Sequence, residues 1–119
     1  MTELVLWVDD LERASGFYEA LLALEKTVES TGYRQLASAF HKLHLHEVPT
    51  EYRNSESRDS GQYPVREDAV MKPIFAVPSI GEALQRIAGQ ANLGKSFGHD
   101  DKLMQDVIDP EGNVIQLLE

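Results

Sequence analysis

Apolar residues recur along the chain at two kinds of spacing, and each spacing predicts an element of secondary structure. Residues 3–8 (ELVLWV) are β-prone and predict a strand. From Leu11 the apolar residues recur at helical intervals up to Leu22, and Asp10 is placed to cap the first turn. Three further strands are predicted, at residues 26–30, 33–37 and 41–48. The predicted order of the first part is therefore β-α-β-β-β.

The second part of the chain repeats this order. Residues 71–77 predict a strand, and Ser79 with Glu82 matches a capping box that opens a helix running to about residue 91. Three more strands are predicted, at residues 95–97, 103–108 and 113–118. Placing Val8 on Val77 aligns both strand ends and both helix starts. The chain therefore has the pattern of two copies of one module.

The length of 119 residues suits one domain. We divide this domain, residues 1–119, into module 1 at about 1–48, a linker at 49–69, and module 2 at about 70–119. The linker is polar, charged and punctuated by proline and glycine, which predicts a mobile loop. The predicted fold class is α+β.

Composition excludes several kinds of function. The sequence has no cysteine, which excludes disulfides, thiolate zinc sites and cysteine nucleophiles and is typical of a cytoplasmic protein. With 20 acidic and 11 basic residues the formal charge is -9, so nucleic acid and anionic membranes are poor partners. The apolar runs are too short to predict a membrane span or a signal peptide.

Two segments resemble the vicinal oxygen chelate superfamily, which includes glyoxalase I, extradiol dioxygenases and bleomycin resistance proteins. The first is VDDLERASGFYEALL at residues 8–22, and the second is the DPEGN turn at residues 109–113 with the strand that follows it. The resemblance implies two βαβββ modules that form a cupped, curved mixed sheet with helices on the outer face. It also implies a homodimer with the cups at or near the subunit interface.

The same resemblance implies where metal ligands would lie on the first and last strands of each module. These positions are Glu3, His44, Lys72 and Gln116 in this sequence. Glu3 and His44 could bind a divalent cation, but a lysine ammonium has no lone pair and a glutamine amide is a weak neutral donor. We therefore predict no metal cofactor. A divalent metal held by Glu3, His44 and His46, as a two-histidine, one-carboxylate set, is the alternative.

Strand alternation predicts which side chains line the cup. His44 and His46 share one face of their strand, while Leu43 and Leu45 face the helices. The predicted ligand-binding residues are Glu3, Val5, Trp7, His44, His46, Lys72, Ile74, Gln116 and Leu118. Apolar walls with a few polar groups favour a small, partly hydrophobic ligand.

Several of these residues have a structural interpretation that stays open. Trp7 could be a core residue rather than a ligand platform. Glu3 could form an ion pair with Lys72 or a hydrogen bond to His44. The two histidines could be polar residues that line a wet cavity.

Two further features of the sequence are predicted to be without function. His41 and His99 adjoin turns and are predicted to be solvated. Residues 89–96 match the phosphate-loop pattern G-x-x-x-x-G-K-S, but a helix precedes the pattern and no helical spacing follows it. Gly94 is instead predicted to end the preceding helix.

The predicted function is metal-independent binding of a small, partly hydrophobic molecule, resembling the antibiotic-sequestering proteins of the bleomycin resistance type. The alternative is a metal-dependent, glyoxalase-like lyase or isomerase, or a dioxygenase, that uses Glu3 and His44. A third interpretation is a degenerate module that serves as an interaction partner.

Overall fold

The structure, a computed structural model, describes residues 2–90, 92–99 and 101–119. Module 1 contains β1 (Thr2–Val8), α1 (Leu11–Leu22), β2 (Glu25–Ser30), β3 (Tyr33–Ala37) and β4 (His41–Glu47). The linker contains a 3₁₀ turn (Thr50–Tyr52) and α2 (Ser55–Ser60). Module 2 contains β5 (Ile74–Ala76), α3 (Ile80–Arg86), β6 (Asn92–His99), β7 (Lys102–Ile108) and β8 (Val114–Leu118). Within these described ranges, no helix is both long and apolar enough to cross a membrane.

The two modules share one topology. The strand order is β1-β4-β3-β2 in the first sheet and β5-β8-β7-β6 in the second. In each sheet the first and last strands of the module pair in parallel and the other neighbours pair antiparallel. The prediction of an α+β fold built from two βαβββ modules is therefore confirmed.

The core lies on one face of each sheet, as strand alternation requires. Leu43 and Leu45 of β4 are fully buried and join the cluster that contains Phe17 and Leu21 of α1. The second sheet contributes Phe75, Val107 and Leu117 to the same cluster. Because alternate residues point to opposite faces, the other face of each sheet is turned away from this core.

Buried polar groups join the end of β1 to the turn between β7 and β8. The Glu111 carboxylate accepts hydrogen bonds from the backbone N–H groups of Asp9 (2.8 Å) and Asp10 (2.9 Å). The Tyr18 hydroxyl donates to Asp109 Oδ2 at 2.5 Å. Burial raises the pKa of Glu111 and of Tyr18. The DPEGN turn of module 2 is thus held directly against module 1.

The helix of module 2, α3, is shorter than its apolar spacing predicts. α3 ends at Arg86, whose guanidinium donates hydrogen bonds to the carbonyl oxygens of Ala20 (2.6 Å) and Leu21 (3.0 Å) at the end of α1. Residue 91, the predicted end, lies outside the described residues. Gly94 does not end the helix, since it lies within β6. The phosphate-loop pattern therefore runs into a strand and opens no helix.

His41 is not solvated, so that prediction is wrong. The residue is only 5% exposed because the alternation of β4 places it on the core side with Leu43. Its Nε2–H donates to the Ala76 carbonyl at 2.8 Å, and its ring packs edge-on against Phe75. His41 therefore connects the two sheets. The side chain of His99 lies outside the described part of the structure.

The linker contains regular structure that its composition does not predict. Asn54 caps α2 by accepting a hydrogen bond from the Ser57 N–H at 3.1 Å. Arg58 Nε donates to the Asp9 carbonyl (3.1 Å), and the Tyr63 hydroxyl donates to the Asp9 carboxylate (2.9 Å). The linker is thus hydrogen-bonded to the end of β1. Its mobility stays a prediction.

Substituting Gly112 tests how closely the linker packs on the DPEGN turn. Gly112 has φ +83°, and a Cβ there would lie 2.2 Å from the Pro64 carbonyl oxygen. We expect Gly112→Ala to lower the free energy of unfolding by more than about 1 kcal/mol in urea denaturation. Gly16 has no heavy atom within 4 Å of its Cβ position, so Gly16→Ala in α1 should raise that free energy by about 0.5–1 kcal/mol. Equal effects of the two variants would contradict this packing.

Removing the Tyr18 hydroxyl tests the buried contact between the modules. Tyr18→Phe leaves the Asp109 carboxylate without one buried donor, so we expect a loss of about 1–3 kcal/mol of unfolding free energy. Tyr52 is 78% exposed, and Tyr52→Phe is the matched control with an expected change below about 0.5 kcal/mol. Urea denaturation measures both. A Tyr18→Phe variant as stable as the control would show that this hydrogen bond does not hold the modules together.

Candidate functional site

The outward face of the first sheet carries a cluster of polar and aromatic side chains, which we call the open face. It consists of Glu3, Val5 and Trp7 of β1, His44 and His46 of β4, and Tyr33 and Gln35 of β3. The register sets Val5 beside His44 and Trp7 beside His46. Val5 is 55% exposed and Trp7 is 57% exposed, so this face is accessible to a ligand.

A continuous series of hydrogen bonds crosses the open face. His44 Nε2 lies 3.0 Å from Glu3 Oε1, and His44 Nδ1 lies 2.7 Å from the Tyr33 hydroxyl. The Tyr33 hydroxyl is also 3.2 Å from Gln35 Oε1, and Gln35 Nε2 donates to Thr27 Oγ1 at 3.1 Å. Of the two alternatives for Glu3, the hydrogen bond to His44 is therefore the one that forms.

The contacts of His44 with Glu3 and Tyr33 determine which ring nitrogen of His44 carries a hydrogen atom. A carboxylate only accepts, so Nε2 of His44 carries hydrogen and donates to Glu3. In a neutral His44 the Tyr33 hydroxyl then donates to Nδ1, whereas in a charged His44 the Nδ1–H donates to Tyr33 and the hydroxyl turns to Gln35. The hydrogen bond from His44 lowers the pKa of Glu3, and the nearby Lys42 lowers it further. The open face therefore presents an ionised carboxylate at neutral pH.

An aromatic stack lies beside these hydrogen bonds. The His46 ring lies between Trp7, at a centroid distance of 4.8 Å and an angle of 27°, and Tyr33, at 4.9 Å and 49°. Both contacts are within the range of favourable ring pairs. Trp7 is thus a surface residue of the open face, and the interpretation that it is a core residue is wrong.

The second sheet and the segment that leads into β5 carry a different group of polar side chains. Lys72 Nζ lies 3.3 Å from both carboxylate oxygens of Asp106, and Gln116 Nε2 donates to Asp106 Oδ1 at 3.0 Å. Gln116 and Asp106 are buried, while Ile74, opposite Gln116 in the register, is 47% exposed. Leu118 is half-buried on the same face of β8. The predicted site residues therefore fall into two sets, one on the first sheet and one on the second sheet and the segment just before β5.

The donor atoms at the four metal-ligand positions do not fit a metal. Glu3 and His44 are of the right type, but Lys72 is a cation and the Gln116 amide is engaged as a donor. The alternative set would add His46, whose ring is stacked between two aromatic side chains. Among the described residues, no three His, Asp or Glu side chains are grouped so that they could hold a metal ion.

Sequence reasoning missed three of the residues that build these two sets. Tyr33 and Gln35 alternate along β3, so their shared face could have been found by the same parity argument as that of the histidines. Asp106 had no comparable signal, because its partners are Gln116 on β8 and Lys72 in the segment before β5, which lie 10 and 34 residues away in the chain.

Comparison with known proteins supports the fold. No protein-family model matches the chain, and no curated protein matches it. Among solved structures, it is similar to a glyoxalase/bleomycin resistance protein/dioxygenase family enzyme from Burkholderia phytofirmans PsJN, with TM-score 0.68 and 18% identity over 98% of this chain and 94% of that one.

Two resistance proteins have a similar structure. The fosfomycin resistance protein FosX from Listeria monocytogenes gives TM-score 0.68 at 16% identity, covering 99% of this chain and 90% of that one. A bleomycin resistance determinant encoded on the transposon Tn5 gives TM-score 0.66 at 13% identity, covering 98% and 94%. The chain therefore has the fold of the glyoxalase/bleomycin resistance/dioxygenase proteins, as its sequence resemblance implied.

Replacing His44 tests the hydrogen bond that defines the open face. His44→Ala should raise the pKa of Glu3 toward its ordinary value of 4.5, because the largest cause of its lowering is removed. Since the folded-state pKa is the lower one, the stabilisation from this contact is present above pH 4.5 and is lost as the pH falls through the folded-state pKa. Side-chain carboxyl NMR titration measures the shift.

Glu29 supplies an internal control for that titration. Its pKa is lowered by Lys26 on β2, so it should not change in the His44→Ala variant. An unchanged Glu3 pKa, or equal changes at Glu3 and Glu29, would contradict the described contact.

Proposed function

We propose that the chain binds a small, partly hydrophobic molecule without a metal ion, as the resemblance to bleomycin-resistance-type proteins suggests. The observation that carries this proposal is the open face, where an exposed indole and an ionised carboxylate lie on one strand beside two ordered histidines. Such a combination of an apolar surface and a few convergent polar groups is typical of ligand sites.

The roles of the open-face residues follow from their contacts. The Trp7 ring stacks on His46, and its exposed aromatic surface can contact a planar or apolar group of the ligand. Glu3 is held by His44 and offers its carboxylate to a cation or a hydrogen-bond donor. The net charge of -9 favours the approach of a cationic ligand. The proposed site is completed by Lys72, which lies just before β5, and by Ile74, Gln116 and Leu118 of the second sheet.

A homodimer is part of this proposal. The resemblance implies cups at or near a subunit interface, and Val5, Trp7 and Ile74 are all about half exposed in one chain. A second copy could cover part of this apolar surface and enclose a ligand against it.

Titration with metal-free bleomycin in excess EDTA tests the proposal. Trp7 is the only tryptophan, so its emission reports on the open face alone. We expect the emission to change with bleomycin, and calorimetry to show that Trp7→Leu binds about 2- to 10-fold more weakly because the aromatic face is lost. Phe40 is 64% exposed but lies off this face, so Phe40→Leu is the matched control and should bind normally.

Three outcomes would contradict this proposal. Emission that does not respond to bleomycin at about 1 mM would exclude this ligand class. Equal affinities of Trp7→Leu and Phe40→Leu would place binding elsewhere. Elemental analysis that finds one tightly held transition metal per chain, lost in the His44→Ala variant, would favour a metal-dependent enzyme.

A further inference from the structure

The Tyr33 hydroxyl on the open face is hydrogen-bonded to a histidine that a carboxylate holds in place. The hydroxyl lies 2.7 Å from His44 Nδ1, and His44 Nε2 lies 3.0 Å from Glu3 Oε1. Both distances are within the range of about 2.6–3.2 Å in which a base activates a nucleophile and a third group orients the base. Because the Nε2 hydrogen is donated to the carboxylate, Nδ1 of the neutral ring can accept the hydroxyl proton. The three side chains therefore have the geometry of a catalytic triad whose nucleophile is a phenol.

The first sheet holds the Tyr33 side chain in this position. In the register of β3 and β4, Tyr33 lies opposite His46 and diagonal to His44, a spacing that an aromatic side chain can span. The buried Arg34 guanidinium fixes the backbone here by donating to the Tyr33 carbonyl at 2.8 Å. The other contact of the hydroxyl, with Gln35 Oε1, is longer at 3.2 Å, so His44 is the nearer acceptor. The hydroxyl is therefore oriented before a substrate arrives.

A phenol as nucleophile limits the kind of substrate. A phenol is a stronger acid than an alcohol, so it is a good leaving group as well as an easily activated nucleophile. Once Tyr33 has added to a carbonyl carbon, the more acidic of the two groups leaves first. Acyl transfer to Tyr33 therefore needs a leaving group about as acidic as a phenol, which an aryl ester has and an alkyl ester or amide lacks. The exposed Trp7 indole, on the other side of His46, can contact the aryl group.

We propose that the open face hydrolyses aryl esters through an acyl-tyrosine intermediate on Tyr33. The Tyr33 oxygen attacks the ester carbonyl carbon while its proton passes to His44 Nδ1, and the bond to the aryl oxygen breaks as that oxygen takes the proton and leaves as a phenol. Water then attacks the acyl carbon and gives a proton to His44, which passes it to the departing Tyr33 oxygen. The carboxylic acid is released and the tyrosine restored.

Glu3 acts here as a positioning residue that keeps the hydrogen on His44 Nε2. The activity goes beyond the proposed binding function and rests on it in one respect, which is that small molecules reach the open face. It requires no metal ion, so it is measured in EDTA.

The rate of p-nitrophenyl acetate hydrolysis in EDTA tests the triad. We expect Tyr33→Phe and His44→Ala to be at least about tenfold slower than the unmodified chain and similar to each other, because the residues of a triad act as a unit. Tyr52 is 78% exposed and lies outside the triad, so Tyr52→Phe is the matched control and should keep the full rate. Hydrolysis no faster than in buffer would overturn the proposal. A full rate in Tyr33→Phe would also overturn it, since the His44 ring would then be the nucleophile.

Mass spectrometry of the unmodified chain locates the acyl group. The probe is p-nitrophenyl trimethylacetate, whose bulky acyl group is hydrolysed slowly and therefore accumulates on the nucleophile. After quenching in acid and digestion, we expect the trimethylacetyl group on Tyr33 and none on Tyr52, although Tyr52 is highly exposed. Acylation of Tyr52 to the same extent, or of lysine side chains only, would overturn the proposal.

Glu3→Leu tests the positioning role. Without the carboxylate the ring hydrogen is free to occupy either nitrogen of His44, so we expect hydrolysis to slow about tenfold. Long-range proton–nitrogen NMR of the ring should then show hydrogen on both nitrogens instead of Nε2 alone. A slower rate with an unchanged ring spectrum would overturn the role of Glu3.

The outcomes separate this activity from ligand binding. A Trp7 emission that responds to bleomycin without acylation of Tyr33 would overturn the activity alone. Acylation of Tyr33 without a response to bleomycin would support the activity and count against the proposed ligand class.

Discussion

The pairing of β1 with β4 is the constraint on which the open face depends. Their parallel register sets Val5 beside His44 and Trp7 beside His46, while the residues between them face the core. Leu43 and Leu45 are fully buried, so a shift of one residue would bury two histidines and expose two leucines. The hydrophobic core thereby fixes the orientation of the polar side chains on the opposite face.

The two sheets share one topology but carry different charged and polar side chains. On the first sheet, the ionised Glu3 is held by His44 within a series of hydrogen bonds that ends at Thr27. On the second sheet, the carboxylate of Asp106 is balanced by Lys72 and by the amide of Gln116. The two halves of the chain therefore offer different chemistry at related positions.

Local sequence signals predicted the architecture well because they depend on side chains close in the chain. The helix at Leu11–Leu22 and the strand at Tyr33–Ala37 have the predicted limits, and Asp10 caps α1 by accepting from the Arg13 N–H at 3.1 Å. Alternation also placed Trp7 correctly on the face of β1 that is turned away from the core.

The errors arose where distant parts of the chain determine the local structure. His41 is buried because module 2 supplies the Ala76 carbonyl and the Phe75 ring. Asp106 joins the second polar set through partners 34 and 10 residues away in the chain. Neither arrangement follows from the spacing of nearby residues, so only the tertiary structure reveals it.

The indole of Trp7 gives the most direct test of the proposal that a small molecule binds on the open face without a metal ion. Because the protein has one tryptophan, its indole Nε1–H gives a single resonance in a proton–nitrogen correlation spectrum. On addition of metal-free bleomycin in EDTA, we predict a shift of that resonance and of the amides of β4, with the amides of Leu11–Leu22 unchanged. Shifts confined to α1, or an indole resonance that does not move at saturating ligand, would contradict the claim.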